Sequence, residues 1–469
     1  VQPRHPPGQA RQRGAALMVM LIILVLGLAA TLVSSLNSAS LRNERQARTA
    51  AALAQAKDAL IGYAVTYGDT HSGEVHGYFP CPDTDGSNGE GTSKSPTCGS
   101  KNVSQLGRLP WKTLDLPALR DGDGECLWYA VSGTYKSSPK TDLMNWDTNG
   151  QLQAYAADGT TRLDNDGNQV VAVIIAPGAA QEGQARSDGS STCGSNYTPS
   201  AYLDNNAAHG INNADIAAGK FVQGTAGGDV NDRMVFITRD ELWAAMQKRS
   251  DFANTLQLLT RRVAECLASY GTRNLLGPLN KSLPWPAPLA LGDYGVNNNY
   301  NDSLGSYSGR VPHLVDTSNT ATLNTMTGNS LMANNGLACP YYAATPATEL
   351  QRLYPWWVNW KDHLFYALSR EYRPGNLPTV PCGNCVTVNG GGNYAAVVML
   401  AGSRLSGQVR ASSTTDAQRS VITNYLEGRN ASNHPNGGGN SDYQNEAASA
   451  TFNDALYCVD TNLNVAPCP

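Results

Sequence analysis

Between Arg13 and Arg42 the chain holds 28 consecutive residues, Gly14 to Leu41, without a charge. Its inner run, AALMVMLIILVLGLAATLV from Ala15 to Val33, is apolar at almost every position. A helix rises about 1.5 Å per residue, so about 20 such residues match the roughly 30 Å hydrocarbon core of a bilayer. The segment predicts a transmembrane helix over about 15–36. Arg4, Arg11 and Arg13 precede it, which predicts a cytoplasmic N-terminus and an exported body.

Charge and cysteine usage agree with export. The net charge of −4 is uneven: seven Lys/Arg and one acidic residue lie up to Lys57, and 27 basic against 37 acidic residues follow. A body that acidic is no general nucleic-acid binder, because phosphate neutralisation needs concentrated positive surface. Ten cysteines spread along the chain suit disulfides in an oxidising compartment better than a cytosolic enzyme.

No proline interrupts the passage from the apolar segment into LRNERQARTAAALAQAKDALIGYAVTYG. Alanine, leucine, glutamine and arginine favour a helix. Leu53, Ala56, Leu60, Tyr63 and Tyr67 fall on one face at steps of three and four. One long helix over 15–67 is predicted, its distal half packed on a body and Gly68 as its stop.

This start resembles a type IV pilin or pseudopilin precursor. In that resemblance residues 1–14 are a basic leader ending in Gly14, cleavage gives a mature start at Ala15, and Val19 stands where the family usually has glutamate. A missing glutamate is similar to the large minor subunits of the pseudopilin K and minor pilin X types, and implies placement at a filament tip. The resemblance further implies as partners other pilins, a prepilin peptidase, an inner-membrane assembly platform and the lipid bilayer. The implied location is the bacterial inner membrane with a periplasmic body.

The body repeats itself. LWYAVSGTY at 127–135 returns as LFYALSREY at 364–372, and AVIIAPGAAQEGQAR at 172–186 as AVVMLAGSRLSGQVR at 396–410. Shorter echoes keep the same order: Gly107-Arg108-Leu109-Pro110 with Gly309-Arg310-Val311-Pro312, Tyr202-Leu203-Asp204 with Tyr425-Leu426-Glu427, and Asn231-Asp232 with Asn453-Asp454. Collinear matches predict a duplicated α+β unit, first over 50–240 and again over 241–469, each a spine helix with a small antiparallel sheet. Thr238 and Glu241 can cap the second spine, predicted over 239–270. Arg186 and Arg410 recur together, which could mean a salt bridge in each unit or a bound anion.

Chemistry-bearing patterns are sparse. Asp83, Asp85 and Glu90 lie in a glycine-rich acidic turn that could hold calcium, though it lacks the full twelve-position loop; a metal-free polar turn is the other reading. No other cofactor is implied. His71 and His76 flank Glu74 without metal-site spacing. Cys382 and Cys385 have redox-motif spacing but sit between a loop and a strand, which favours a structural clip. Cys81 with Cys98 is a local pairing, and Cys458 with Cys468 is similar to the C-terminal disulfide loop of many pilins. Cys126, Cys193, Cys266 and Cys339 stay unassigned. Segments 186–230, 293–335 and 428–450, rich in Asn, Gly, Ser and Thr, predict surface loops.

No catalytic motif appears, and the leading expectation is a non-enzymatic minor subunit of a pilus or secretion pseudopilus. A membrane-anchored periplasmic adhesion or binding protein is the alternative, and an exported enzyme the third.

Overall fold

A computed structural model describes residues 13–164, 169–186, 191–225, 230–272, 281–315, 329–331, 349–376, 378, 382–410, 413–434 and 438–469; of 13–39, 329–330 and 349–352 only the backbone belongs to this description. The fold is α+β. Helix α1 runs from Arg13 to Thr70 without a break. Leu53, Ala56, Leu60, Ala64 and Tyr67 are buried on its inner face, as their three- and four-residue spacing requires. The helix passes Gly68 and ends two residues later. A Cβ at Gly68 would press on the Glu74 carbonyl and the His76 ring, so this glycine admits the returning chain rather than ending the helix.

The transmembrane assignment over 15–36, with the single-pass inner-membrane location and periplasmic body built on it, is corrected. Among the described residues no helix is long and apolar enough to cross a membrane. From residue 40 onward α1 carries Arg42, Glu44, Arg45, Arg48, Lys57 and Asp58 on exposed or half-exposed positions, and its apolar face is covered by protein. Residues 1–12 of the leader, and the side chains of Ala15 and Val19, lie outside the described residues.

The first sheet contains β1 (Gln105–Arg108), β2 (Trp128–Val131), β3 (Val170–Ala176) and β4 (Arg233–Thr238), antiparallel and in that order. Helices α2 (Arg239–Gln247) and α3 (Ser250–Thr272) follow. The single spine predicted over 239–270 is thus two helices. Thr238 Oγ1 accepts from Glu241 N at 3.2 Å and caps the first. At the break, Arg249 donates to Val65 O (2.7 Å) at the end of α1 and to Asp69 Oδ2 (2.7 Å).

The second sheet repeats the four-strand plan with β5 (Ser308–Arg310), β6 (Leu364–Leu368), β8 (Gly391–Leu400) and β10 (Ala455–Asp460); α4 (Glu349–Trp360) leads into β6. It is widened by β7 (Val386–Val388), β9 (Asp442–Tyr443) and β11 (Val465–Pro467). Pairing matches position by position. Trp128 faces Ile175 and Phe365 faces Met399; Val173 faces Phe236 and Val397 faces Cys458; Gly107 faces Tyr129 and Gly309 faces Tyr366.

Side-chain detail repeats as well. Tyr129 donates to Pro80 O at 3.2 Å and Tyr366 to Pro284 O at 3.1 Å. A side chain at Gly107 would strike the Asp83 carbonyl, and one at Gly309 the Ala287 carbonyl.

Each sheet is covered on both faces. On the inner side α1 packs on β3 and β4, α3 packs on β8, β10 and β11, and the two units share one apolar core. The outer face of the first sheet, with Trp128, Val173 and Ile175, lies under Tyr202, Leu203 and Phe221. Phe365, Val397 and Met399 lie under Tyr425, Leu426 and Tyr443. Much of 186–230 and 428–450 is therefore cover for a sheet, not free surface loop. Tyr294 and Tyr300, from the segment 293–335, are also buried.

Candidate functional site

The acidic turn is tied up internally. Asp83 is buried and accepts from Gly86 N (2.8 Å) and Gly91 N (2.7 Å). Asp85 pairs with Lys94 Nζ at 2.6 Å, and Glu90 accepts from Thr192 N at 3.0 Å and from Cys193 N. These carboxylates bind donors of the chain instead of converging on one point. Among the described residues no group of three or more His, Cys, Asp or Glu is placed to hold a metal. Glu74 pairs with Lys140 (2.8 Å), and His76 Nδ1 accepts from Gly68 N (3.2 Å).

Disulfides join Cys81 to Cys98, Cys126 to Cys193, Cys382 to Cys385 and Cys458 to Cys468, and Cys266 is also oxidised. The clip at Cys382–Cys385 precedes β7, and Cys458–Cys468 ties β10 to β11 at the chain's end.

Arg186 and Arg410 anchor equivalent polar networks. Each donates to a glycine carbonyl eight residues back, Gly178 at 2.6 Å and Gly402 at 2.8 Å, and each holds a glutamine two residues back. Those glutamines donate to Asp204 (2.8 Å) and Glu427 (2.7 Å). Asp204 N then donates to Asp232, and Glu427 N to Asp454. Burial and the adjacent carboxylate push Asp232 and Asp454 well above the ordinary carboxyl range. Arg186 forms its ion pair within its own unit, with Glu125 at 3.2 Å, whereas Arg410 lies 3.7 Å from Asp147 of the first unit. No bound anion is needed to hold either arginine.

Asp147 belongs to a buried cluster that sequence reasoning missed. His363 Nδ1 lies 2.9 Å from Asp362, which also pairs with Arg419, and its Nε2 reaches Asp147. Arg310 donates to the carbonyls of Asp362 and Arg419 and lies over the rings of Tyr294, Phe365 and Tyr425. Burial alone would lower the His363 pKa, but Asp362 and Asp147 outweigh it and raise it. The same surroundings hold Asp147 down at about 2, because Arg410 and His363 overcome its burial. Around the cluster Trp146 meets Trp360 edge-on at 4.5 Å, with Trp243 and Phe252 beside them. Complete enclosure makes this a clamp between the units, not a place where substrate could enter.

An accessible groove lies at the root of α1. It holds about 660 Å³ and runs between Arg42, Arg45 and Thr49 of the helix and Asp121, Asp123, Asn231 and Arg233 of the first unit. Thr49 Oγ1 accepts from Gly122 N at 2.9 Å and Arg45 lies 3.4 Å from Asp123, joining the walls at one side. Gly122 is required there, because a Cβ would run into the Arg45 backbone. Mixed charge, amides and no activated nucleophile suit binding. Its signal in the sequence is RDGDGEC at 120–126, where Gly122 lets the chain approach the helix closely.

No family model, curated protein or solved structure matches the chain.

Proposed function

We propose that the chain is a low-copy structural subunit of a type IV pilus or related secretion pseudopilus, incorporated through its N-terminal helix and not an enzyme. The observation that carries this reading is α1 itself. It is one 58-residue helix, of which the part from Ala52 onward is bedded in the body while nearly every residue over 40–51 is exposed. Such a helix is about 90 Å long, far more than is needed to cover one sheet. A stem projecting from a head is a means of packing against other stems, and the groove at its root offers a polar seat for a neighbouring subunit.

The basic leader ending at Gly14, followed at once by the uncharged segment, supports processing by a prepilin peptidase between Gly14 and Ala15. A body of some 400 residues would crowd a densely packed shaft, which supports placement at a filament end among smaller pilin-like partners delivered by an assembly platform.

The test is N-terminal mass spectrometry of the protein made with and without a prepilin peptidase. A start at Ala15 only when the peptidase is present is expected. A start upstream of Ala15 in both samples, or a cut after Leu41, overturns the proposal.

A further inference from the structure

The two sheets differ at one edge. In the second unit β10 is paired on its outer side with β11, antiparallel, with Val459 opposite Val465, Cys458 opposite Ala466 and Tyr457 opposite Pro467. Leu456 O accepts on that side from Cys468 N at 3.2 Å. β4 holds the equivalent place in the first sheet, and among the described residues no strand pairs with its outer side. Phe236 and Cys458 stand at matching register against Val173 and Val397, so Met234 and Phe236 turn their N–H and C=O groups outward as Leu456 and Cys458 do. Neither makes a backbone hydrogen bond on that side with any described residue. Arg233, Val235 and Phe236 are half-exposed along it. An open strand edge is a template for another strand.

The flanking surface selects the occupant. The groove at the root of α1 borders this edge, lined by Arg233, Met234 and Val235 of β4 together with Arg42, Arg45 and Leu53 of α1. Its carboxylates are already engaged: Asp123 pairs with Arg45 at 3.4 Å, and buried Asp121 accepts from the backbone N–H groups of Asp123, Glu125 and Gly178. Of the acidic groups nearby, Asp232 is buried in the Arg186 network, Glu44 pairs with Arg48, Glu241 pairs with Lys57, and exposed Glu182 lies outside the lining. Arg42 and Arg233 make no side-chain hydrogen bond or ion pair with any described residue, which leaves the groove with unmatched positive charge. An antiparallel strand laid on β4 in the register of β11 brings its C-terminal end to Arg233. Side chains directly opposite one another share a face. The positions opposite Ile237 and Val235 then turn to the apolar core under α1, and the one opposite Arg233 turns to the two arginines. The matching pattern is apolar, any, apolar, any, acidic.

We infer that the outer edge of β4 takes an extended segment of a neighbouring protein subunit as an added antiparallel strand, with the segment's acidic C-terminal end on Arg233 and Arg42. Main-chain hydrogen bonds supply the pairing, and alternate side chains supply the selection. The inference rests on the reading of the groove as a subunit seat but not on processing at Gly14, so the two tests fail separately.

The probe is a capped, fluorescently labelled peptide, Ser-Val-Thr-Val-Thr-Glu-Gly, titrated with the full chain by anisotropy, with hydrogen exchange of the chain read by mass spectrometry. One control peptide carries lysine in place of glutamate. A second keeps every side chain but is N-methylated at the amides that meet β4. The parent peptide is expected to bind and to slow exchange over Arg233–Thr238, and each control to bind at least about tenfold more weakly, through loss of the ion pair or of the main-chain bonds. Arg233→Gln, which leaves no partner orphaned, is expected to shrink the preference for glutamate over lysine by at least about threefold. The inference is overturned if the parent peptide does not bind, if either control matches it, if exchange over Arg233–Thr238 is unchanged at saturation, or if Arg233→Gln keeps the full preference. A concentration-dependent dimer that protects the same strand without peptide makes a second copy the occupant and also overturns it.

Discussion

His363 Nε2 lies 2.8 Å from Asp147 Oδ2, although 216 positions separate them in the chain, and both side chains are fully buried. The contact joins the first unit to the second. Removing one member of a buried ion pair costs about 3–5 kcal/mol, because its partner keeps its charge without compensation. His363→Ala should therefore destabilise the chain by about that amount in chemical denaturation. A loss below about 1 kcal/mol would show that the cluster carries little of the boundary's stability.

The same cluster sets a pH window. His363 is raised above its ordinary 6.5, so its contribution is fully present below 6.5 and is lost as pH rises through the folded value. Asp147 is depressed from 3.8 to about 2, so its contribution is present above 3.8 and is lost as pH falls toward 2. The stability difference between wild type and His363→Ala should be largest between these limits, at about pH 4–6.5, and should shrink on both sides. A difference that grows steadily to pH 9 would contradict the assignment of charges.

Asp454 behaves in the opposite sense to Asp147. Burial and Glu427 raise its pKa, so its contribution is present below 3.8 and falls away as pH rises through the folded value. Asn in its place keeps an acceptor for Glu427 N and supplies a donor for the Glu427 carboxylate. Asp454→Asn should stay within about 1 kcal/mol of wild type at pH 4 and be at least as stable at pH 8, measured by urea unfolding. A variant much weaker at pH 8 would show that the ionised form is the native one.

Gly309→Ala puts a methyl group against the Ala287 carbonyl across a strand crossing. The neighbour is backbone and cannot rotate away. A loss of about 1–3 kcal/mol is expected, and Gly107→Ala should behave alike in the first unit, where Asp83 O lies 2.6 Å from the added carbon. Thermal denaturation of both variants checks this, and an unchanged melting temperature in either would reject the crossing geometry.

The disulfides should differ in weight. Cys126–Cys193 spans 67 positions and Cys382–Cys385 only three. In the chain-entropy account the longer loop contributes about 4 kcal/mol and the shorter about 1–2. Paired Cys→Ser replacements compared by urea denaturation test that order, and a larger loss at 382/385 would refute it.

Much of the body could be read from spacing. The steps from Leu53 to Tyr67 gave the buried face of α1, and the echoes LWYAVSGTY and LFYALSREY marked β2 and β6, which occupy equivalent sheet positions. Local signals also foretold the cap at Thr238. They did not foretell the break after Gln247, because Lys248 and Arg249 are good helix formers and only a tertiary partner, the end of α1, draws Arg249 out of line. Tyr202 and Phe221 were misplaced as loop residues for a related reason: isolated apolar residues among asparagine and glycine have no period, yet they close over the first sheet. The His363 cluster was not legible, because although Arg310 and Arg410 stand out in the echoes, no local pattern brings them to Asp147, Asp362 and His363.

Arg249 does more than end one helix and begin another. It grips the Val65 carbonyl and the Asp69 carboxylate at the foot of α1, while Lys57 holds Glu241 at 2.8 Å about two to three turns higher. A pull along the stem would thus reach α2 and α3 directly, in shear across several bonds, before the first sheet had to carry it alone. The second unit works as a backstop to the stem, and a mechanical load would be shared by both halves of the body from the outset.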